Sequence, residues 1–168
     1  KSAHREIKFK LDGNALADND LVLCDLPQLR QAVTNLLQNA IDSIEMKKSN
    51  DPEHKGEIHI LLEKVTPEDL SVIITDNGMG LPENEAPERL SEPYVTHRLK
   101  GTGLGLAIVK KIMEDHQGKL IIGKTSKLAK IKDWQDLGGA VISLSIPVSA
   151  ADKSFQENNN QPKKLKQA

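Results

Sequence analysis

Three short stretches of this sequence carry residues whose types and spacing suit chemistry. The first is "KGTGLGLAIVKKI", residues 100–112, where Gly101, Gly103 and Gly105 alternate and run into an apolar helical pattern. A glycine-rich helix start presents backbone N–H groups and the positive end of the helix dipole, and together these hold anionic oxygens. The stretch matches a P-loop poorly, because no Lys-Ser/Thr pair follows the glycines. It also matches a dinucleotide fingerprint poorly, because the third glycine comes early and no strand precedes it. Tight packing of a loop against a sheet is the other reading of the same glycines.

The second stretch is "TDNGMGLP", in which Asp76 follows the apolar run "VIIT". That places its carboxylate at the end of a sheet, partly desolvated. A carboxylate there accepts from an exocyclic amine such as that of adenine, and a site built on this bond rejects a base without the donor. Gly78 and Gly80 let the backbone approach a flat ligand. Asp-Asn-Gly also makes an ordinary turn. The third stretch is "TNLLQNAID", where Asn35 and Asn39 are four residues apart and project from one helical face. Their amide oxygens are hard donors suited to Mg²⁺, which keeps waters and shares phosphate oxygens. For either asparagine alone, an interior amide bonded within the fold is the simpler reading.

The elements that must position these residues follow from periodicity. "REIKFKL" alternates, with Ile7, Phe9 and Leu11 on one side of a half-buried strand, and "LVLC" is a second short strand. A long helix covers residues 25–48, capped by Asp25, with Gln28 three residues on and Pro27 in its first turn. Its apolar stripe is Leu29, Val33, Leu36, Leu37, Ala40, Ile41 and Ile44. Strands are predicted at 57–65 and 70–76, then a loop from 77 to about 102. A helix over 103–116 has Leu104, Ala107, Ile108, Ile112 and Met113 on one face, and Gly118 stops it. Further strands are predicted at 119–125 and 140–148. The polar, aperiodic end from residue 150 onward is expected to be disordered. Helices and a mostly antiparallel sheet, each with one apolar face to cover, predict a two-layer α/β sandwich.

The composition bounds the function. The chain has 168 residues with a net charge of -1, so it has no bulk attraction for nucleic acid or an anionic membrane. No apolar run approaches the ~20 residues of a membrane span, and the opening residues are not expected to be a signal peptide. One cysteine, Cys24, excludes an internal disulfide framework and makes a cytoplasmic setting the default. Its place at a predicted strand end suggests a buried, inert thiol. The five histidines and one cysteine form no metal-ligand pattern.

Taken in order, "NLLQNA", "DNGMG" and "GTGLGL" resemble the N, G1 and G2 boxes of the ATP-binding catalytic domain of sensor histidine kinases, in the superfamily that also holds gyrase B and MutL. The resemblance covers residues 5 to 148 and is nearest to the nitrogen-regulation, NtrY-type branch. It implies a Bergerat-type α/β sandwich over residues 1–149 that binds ATP and Mg²⁺ between the long helix and a lid at about 82–102. It assigns Mg²⁺ to Asn39, the phosphates to Asn35, and the adenine amine to Asp76, with Gly78 and Gly80 shaping the base pocket. Gly101, Thr102, Gly103, Leu104 and Gly105 form the lid end and helix start, and Arg98 and Lys100 contact the terminal phosphates. The implied partners are a separate histidine-bearing helical hairpin and a response regulator. The domain alone is expected to be monomeric, and its parent anchored in the inner membrane.

The chain departs from the family pattern in places that bear on mechanism. ATP-hydrolysing relatives carry a glutamate as general base four residues before the Mg²⁺ asparagine; this sequence has Asn35 there, and an amide cannot take a proton from water at neutral pH. Transfer to a separate nucleophile is therefore expected rather than hydrolysis. Asp42 and Ser43 stand where many relatives have a phosphate-contacting Lys and a base-stacking Tyr. "SEPY" at 91–94 replaces "FEPF". The segment 125–138, with Trp134, is longer than in typical relatives. "HREIKF" at His4 does not match a phosphoacceptor motif, so the receiving histidine is expected on another segment.

Overall fold

The structure is a computed structural model, and it describes residues 7–13, 20–66, 68–82, 84–95, 103–124 and 135–150. The strands are β1 (Ile7–Gly13), β2 (Asp20–Leu21), β3 (Gly56–Thr66), β4 (Asp69–Asp76), β5 (Lys119–Ile122), β6 (Val141–Pro147) and β7 (Ser149–Ala150). The described helices are α1 (Leu26–Asn50) and α2 (Gly105–Asp115), and a 3₁₀ turn spans Arg89–Ser91.

Helix α1 starts where the capping pattern placed it. The Asp25 carboxylate accepts from the Gln28 N–H at 3.0 Å, and Pro27 occupies the first turn. The buried line along α1 is Ala32, Leu36, Ala40, Ile44 and Lys48, one residue per turn. Leu36, Ala40 and Ile44 of the predicted stripe lie on that line, and its other members, Leu29, Val33, Leu37 and Ile41, flank it partly buried. Helix α2 buries Ile112 and Met113 of the predicted face, but Ile108 is exposed and Val109 is buried in its stead. The two helices are joined at their ends by His116. Its Nε2 accepts from the Asp25 N–H at 2.9 Å, which leaves Nδ1 to donate to the Ile112 carbonyl at 2.7 Å.

Five strands form one sheet in the order β1-β3-β4-β6-β5, while β2 and β7 pair separately. Only β1 and β3 run parallel; β3–β4, β4–β6 and β6–β5 are antiparallel. The main core lies between α1, α2 and the sheet face bearing Ile58, Ile74, Ile142, Leu144 and Ile146. This is the predicted two-layer sandwich. The opposite face also buries residues, among them His59, Leu61, Ile73, Thr75 and Val141.

Three local expectations fail. Phe9 and Leu11 lie on the edge strand β1 and are 53% and 74% exposed, so only Ile7 of that alternation reaches the core. Residues 22–24 form no strand and Cys24 is exposed, because the short β2 ends before it. Ala150, placed in the polar tail by composition, pairs with Asp20 in β7–β2. Residues 151–168 and Trp134 lie outside the described residues.

Candidate nucleotide site

A cavity of about 590 Å³ opens between α1, the ends of β4 and β6, and the start of α2. That volume suits a ligand the size of a small cofactor. Leu36, Asn39, Ala40 and Ser43 line it from α1, Ile74, Asp76 and Ile142 from the sheet, and Gly105 and Leu106 from α2. Leu81, Leu90 and Val95 add apolar wall from the long loop.

Asp76 is the last residue of β4 and is 3% exposed. Its Oδ1 accepts from the Gly78 N–H at 2.8 Å and from the Ala140 N–H at 3.4 Å. Its main chain is gripped too: its N–H donates to the Ala140 carbonyl at 3.1 Å, and its carbonyl accepts from Gly139 at 2.9 Å. A Cβ on Gly139 would run into the Asp76 carbonyl oxygen and Oδ1, so only glycine lets this backbone pass. Gly139 has no counterpart in the three sequence boxes; the Gly-Gly pair before a predicted strand was its only signal.

The loop after Asp76 is docked onto α1. Gly78 does not line the cavity; a Cβ there would stand 2.7 Å from the Ser43 carbonyl carbon and 2.8 Å from the Ile44 nitrogen. The Met79 N–H donates to Ser43 Oγ at 2.9 Å. Asn77 fastens the other side: its Oδ1 accepts from Glu57 N–H and its Nδ2 donates to the Lys55 carbonyl, each at 2.8 Å. Sequence reasoning assigned no task to Asn77 and treated Ser43 as a missing tyrosine. The structure shows both as fasteners of the glycine loop. Gly80, at φ +83°, does line the cavity.

At the other end, Asn39 faces the start of α2. A Cβ on Gly105 would lie 3.9 Å from both Asn39 amide atoms. Leu104 gives α2 no side-chain cap and does not line the cavity. A helix start without a capping side chain leaves N–H groups for ligand oxygens. Gly103 has φ +68°, and its carbonyl accepts from the Tyr94 N–H at 3.0 Å, so Tyr94 and Gly103 clasp the two ends of residues 95–102. Asn35 is not among the lining residues; its Nδ2 is buried and has no hydrogen-bond partner among the described residues. Arg98, Lys100, Gly101 and Thr102 lie outside the described residues.

The donor set fits the expected ligands. Apolar walls with one buried carboxylate suit a purine that donates through an amine. An amide oxygen beside an open helix start suits a magnesium ion completed by phosphate and water. Among the described residues no group of three His, Cys, Asp or Glu forms an all-protein metal site. No helix among them is long and apolar enough to cross a membrane.

Residues 24–150 match the family of histidine kinase-, DNA gyrase B-, and HSP90-like ATPases. The nitrogen regulation protein NtrY of Azorhizobium caulinodans is 54% identical over 88 residues, which is 52% of this chain and 11% of that protein. A putative sensor histidine kinase, NtrY-like, of Rickettsia conorii is 38% identical over 152 residues, 90% of this chain and 22% of its own length. The chain thus spans a minor part of the curated relatives it matches. Among solved structures, the nucleotide-free catalytic domain of histidine kinase ThkA superposes with a TM-score of 0.62 at 30% identity, covering 84% of this chain and 80% of that one. The chain belongs to the histidine kinase-, DNA gyrase B-, and HSP90-like ATPase family, as the domain that sensor histidine kinases carry, with NtrY-like proteins among its relatives.

Proposed function

We propose that this domain binds ATP with Mg²⁺ and presents the γ-phosphoryl group to a histidine on a separate helical hairpin of its parent kinase, for relay to a response regulator aspartate. The observation that carries this reading is one cavity with a buried carboxylate, Asp76, at one end and Asn39 beside an uncapped helix start at the other. Asp76 takes the adenine amine. Gly80 shapes the base pocket from its wall, and Gly78 does so from behind by letting the loop sit on α1. Asn39 holds the metal, and Asn35, one helical turn before it on α1, lies close to the phosphates. Gly103 and Gly105, with Gly101, Thr102 and Leu104, form the glycine turn into α2. Arg98 and Lys100 bring cations to the terminal phosphates. Bound magnesium would neutralise charge on the phosphoryl oxygens.

In the transfer, a histidine nitrogen bonds to the γ-phosphorus, the bond to the bridging oxygen breaks, and ADP leaves. The domain contributes position and charge neutralisation rather than a base. Asn35 in the general-base position favours this over hydrolysis, because an amide cannot deprotonate water. The parent is proposed to be a longer sensor kinase anchored in the inner membrane, with this domain on its cytoplasmic side and monomeric when isolated.

Calorimetric titration tests the reading. The chain should bind ATP and ADP, with Mg²⁺ strengthening the ATP complex. Asp76→Asn should weaken both by at least about tenfold, the scale of a lost hydrogen bond to a charged group. Asn39→Asp should alter the Mg²⁺ dependence. Wild-type affinity in both variants would overturn the assignment.

A further inference from the structure

The chain contains three methionines, and the fold treats them in two ways. Met113 is 1% exposed in the core, whereas Met46 and Met79 are 45% and 52% exposed. Both exposed residues line the nucleotide cavity. Leu36, Asn39, Ser43 and Met46 recur at three- and four-residue spacing, so Met46 ends the stripe that α1 turns to the cavity. It lies three residues beyond Ser43, about 4.5 Å further along the helix axis. Met79 reaches the same region from the sheet. It follows Asp76 by three residues, and its N–H donates to Ser43 Oγ at 2.9 Å. Lys47 fastens the same loop to α1, donating from Nζ to the Asn77 carbonyl at 2.8 Å. The two thioethers thus come from elements joined at Ser43, at the cavity end where Asp76 takes the base.

Such exposure leaves apolar surface in water that the flat face of a ligand would cover. None of the described residues lining the cavity is aromatic, so they offer a base no ring to stack on. A thioether serves instead, because it is unbranched, polarizable and favourable against an aromatic ring.

We propose that Met46 and Met79 together grip the base, their thioethers covering its ring, so that bound nucleotide and oxidation of the two sulfurs oppose each other. The inference rests on the nucleotide reading above and assigns the apolar contacts of the base. Hydrogen peroxide oxidises a thioether in one step. The sulfur lone pair bonds to one peroxide oxygen, the O–O bond breaks and water leaves, giving the sulfoxide. Sulfur is oxidised and peroxide reduced. Nucleotide lying over the sulfurs slows that step, and the polar sulfoxide in turn binds nucleotide less tightly.

The test is peroxide footprinting of the 168-residue chain beside calorimetric titration. Peptide mass spectrometry follows each methionine without ligand, with ADP, and with Mg²⁺-tripolyphosphate, which has no base. Without ligand, Met46 and Met79 should oxidise faster than Met113, the buried internal control. ADP should slow both about threefold or more, the scale of a thioether contact with a ring, and tripolyphosphate should slow neither. In titrations, Met46→Ala and Met79→Ala should each weaken ATP and ADP alike by about threefold to tenfold. Met46→Leu and Met79→Leu, which keep the apolar bulk, should restore most of that affinity. The footprint needs no variant and decides the matter if an alanine variant does not fold. Oxidation of either methionine at the same rate with and without ADP overturns the inference and leaves the nucleotide reading standing. So does wild-type affinity in the folded alanine variants. Protection by tripolyphosphate as strong as that by ADP assigns the effect to the phosphate end and overturns it too. Failure of the folded wild type to bind ATP or ADP defeats the nucleotide reading and this inference together.

Discussion

At the scale of single residues, Asp76 is defined by what surrounds it. Two backbone N–H groups hold Oδ1, and the absence of a side chain at Gly139 makes that contact possible. Gly139→Ala is therefore expected to weaken ATP binding at least about tenfold without removing any ligand contact of its own, a loss that titration would register. The neighbouring Gly138 is the control. It has φ +84° with open space around it, so Gly138→Ala costs backbone strain alone, about 1–2 kcal/mol, and leaves nucleotide affinity near the wild-type value. Motif spacing marked Asp76, Asn39 and the glycines. It did not mark Gly139 or Asn77, because their work is done across strand and loop neighbours distant in sequence.

At the scale of elements, α1 is the site's main wall and its position depends on both ends. Asp25 caps the start and also hands its own N–H to His116 at the end of α2. Asp25→Ala removes the side-chain cap and should lower stability by about 1 kcal/mol, read as a fall in Tm with little change in nucleotide affinity. The clasp between Tyr94 and Gly103 behaves differently. A Cβ on Gly103 would stand 2.6 Å from the Tyr94 carbonyl carbon, in a backbone region that L-residues avoid. Gly103→Ala should thus cost nucleotide affinity more than helix content, a split that titration beside circular dichroism reveals. Helix and strand existence was legible from periodicity. The inner face of α2 was legible at Ile112 and Met113 but not at its middle, because Ile108 and Val109 are both apolar and only packing against α1 and the sheet selects Val109.

At the scale of the whole molecule, the core between helices and sheet holds the two halves of the cavity in register. Ile44 is fully buried at its centre. Ile44→Ala should cost about 2–5 kcal/mol, measured by denaturant unfolding. On the far side of the sheet, Asp12 meets Lys10 at 2.6 Å and the buried His59 at 2.8 Å. The hydrogen bond from Lys10, aided by His59, holds the Asp12 carboxyl below its ordinary value of 3.8 despite opposing desolvation. A lowered folded-state value means that Asp12 contributes stability above pH 3.8 and loses it as pH falls through the lowered value. Asp12→Asn should make the loss of stability below that pH shallower in acid unfolding curves.

Local spacing and three motifs in fixed order were enough to read the family, the order of elements and the capped long helix, and to name candidate site residues. Tertiary structure decided which of them share one cavity. It placed Asn39, Asp76, Gly80, Gly103 and Gly105 on the cavity wall, set Gly78 behind it as a packing contact, and kept Asn35 off the lining. It also exposed Phe9 and Leu11, since an alternating strand does not know whether it lies under a helix or at a sheet edge. Spacing along a chain fixes which side chains can share a face. Only the packing of one element on another fixes what that face meets.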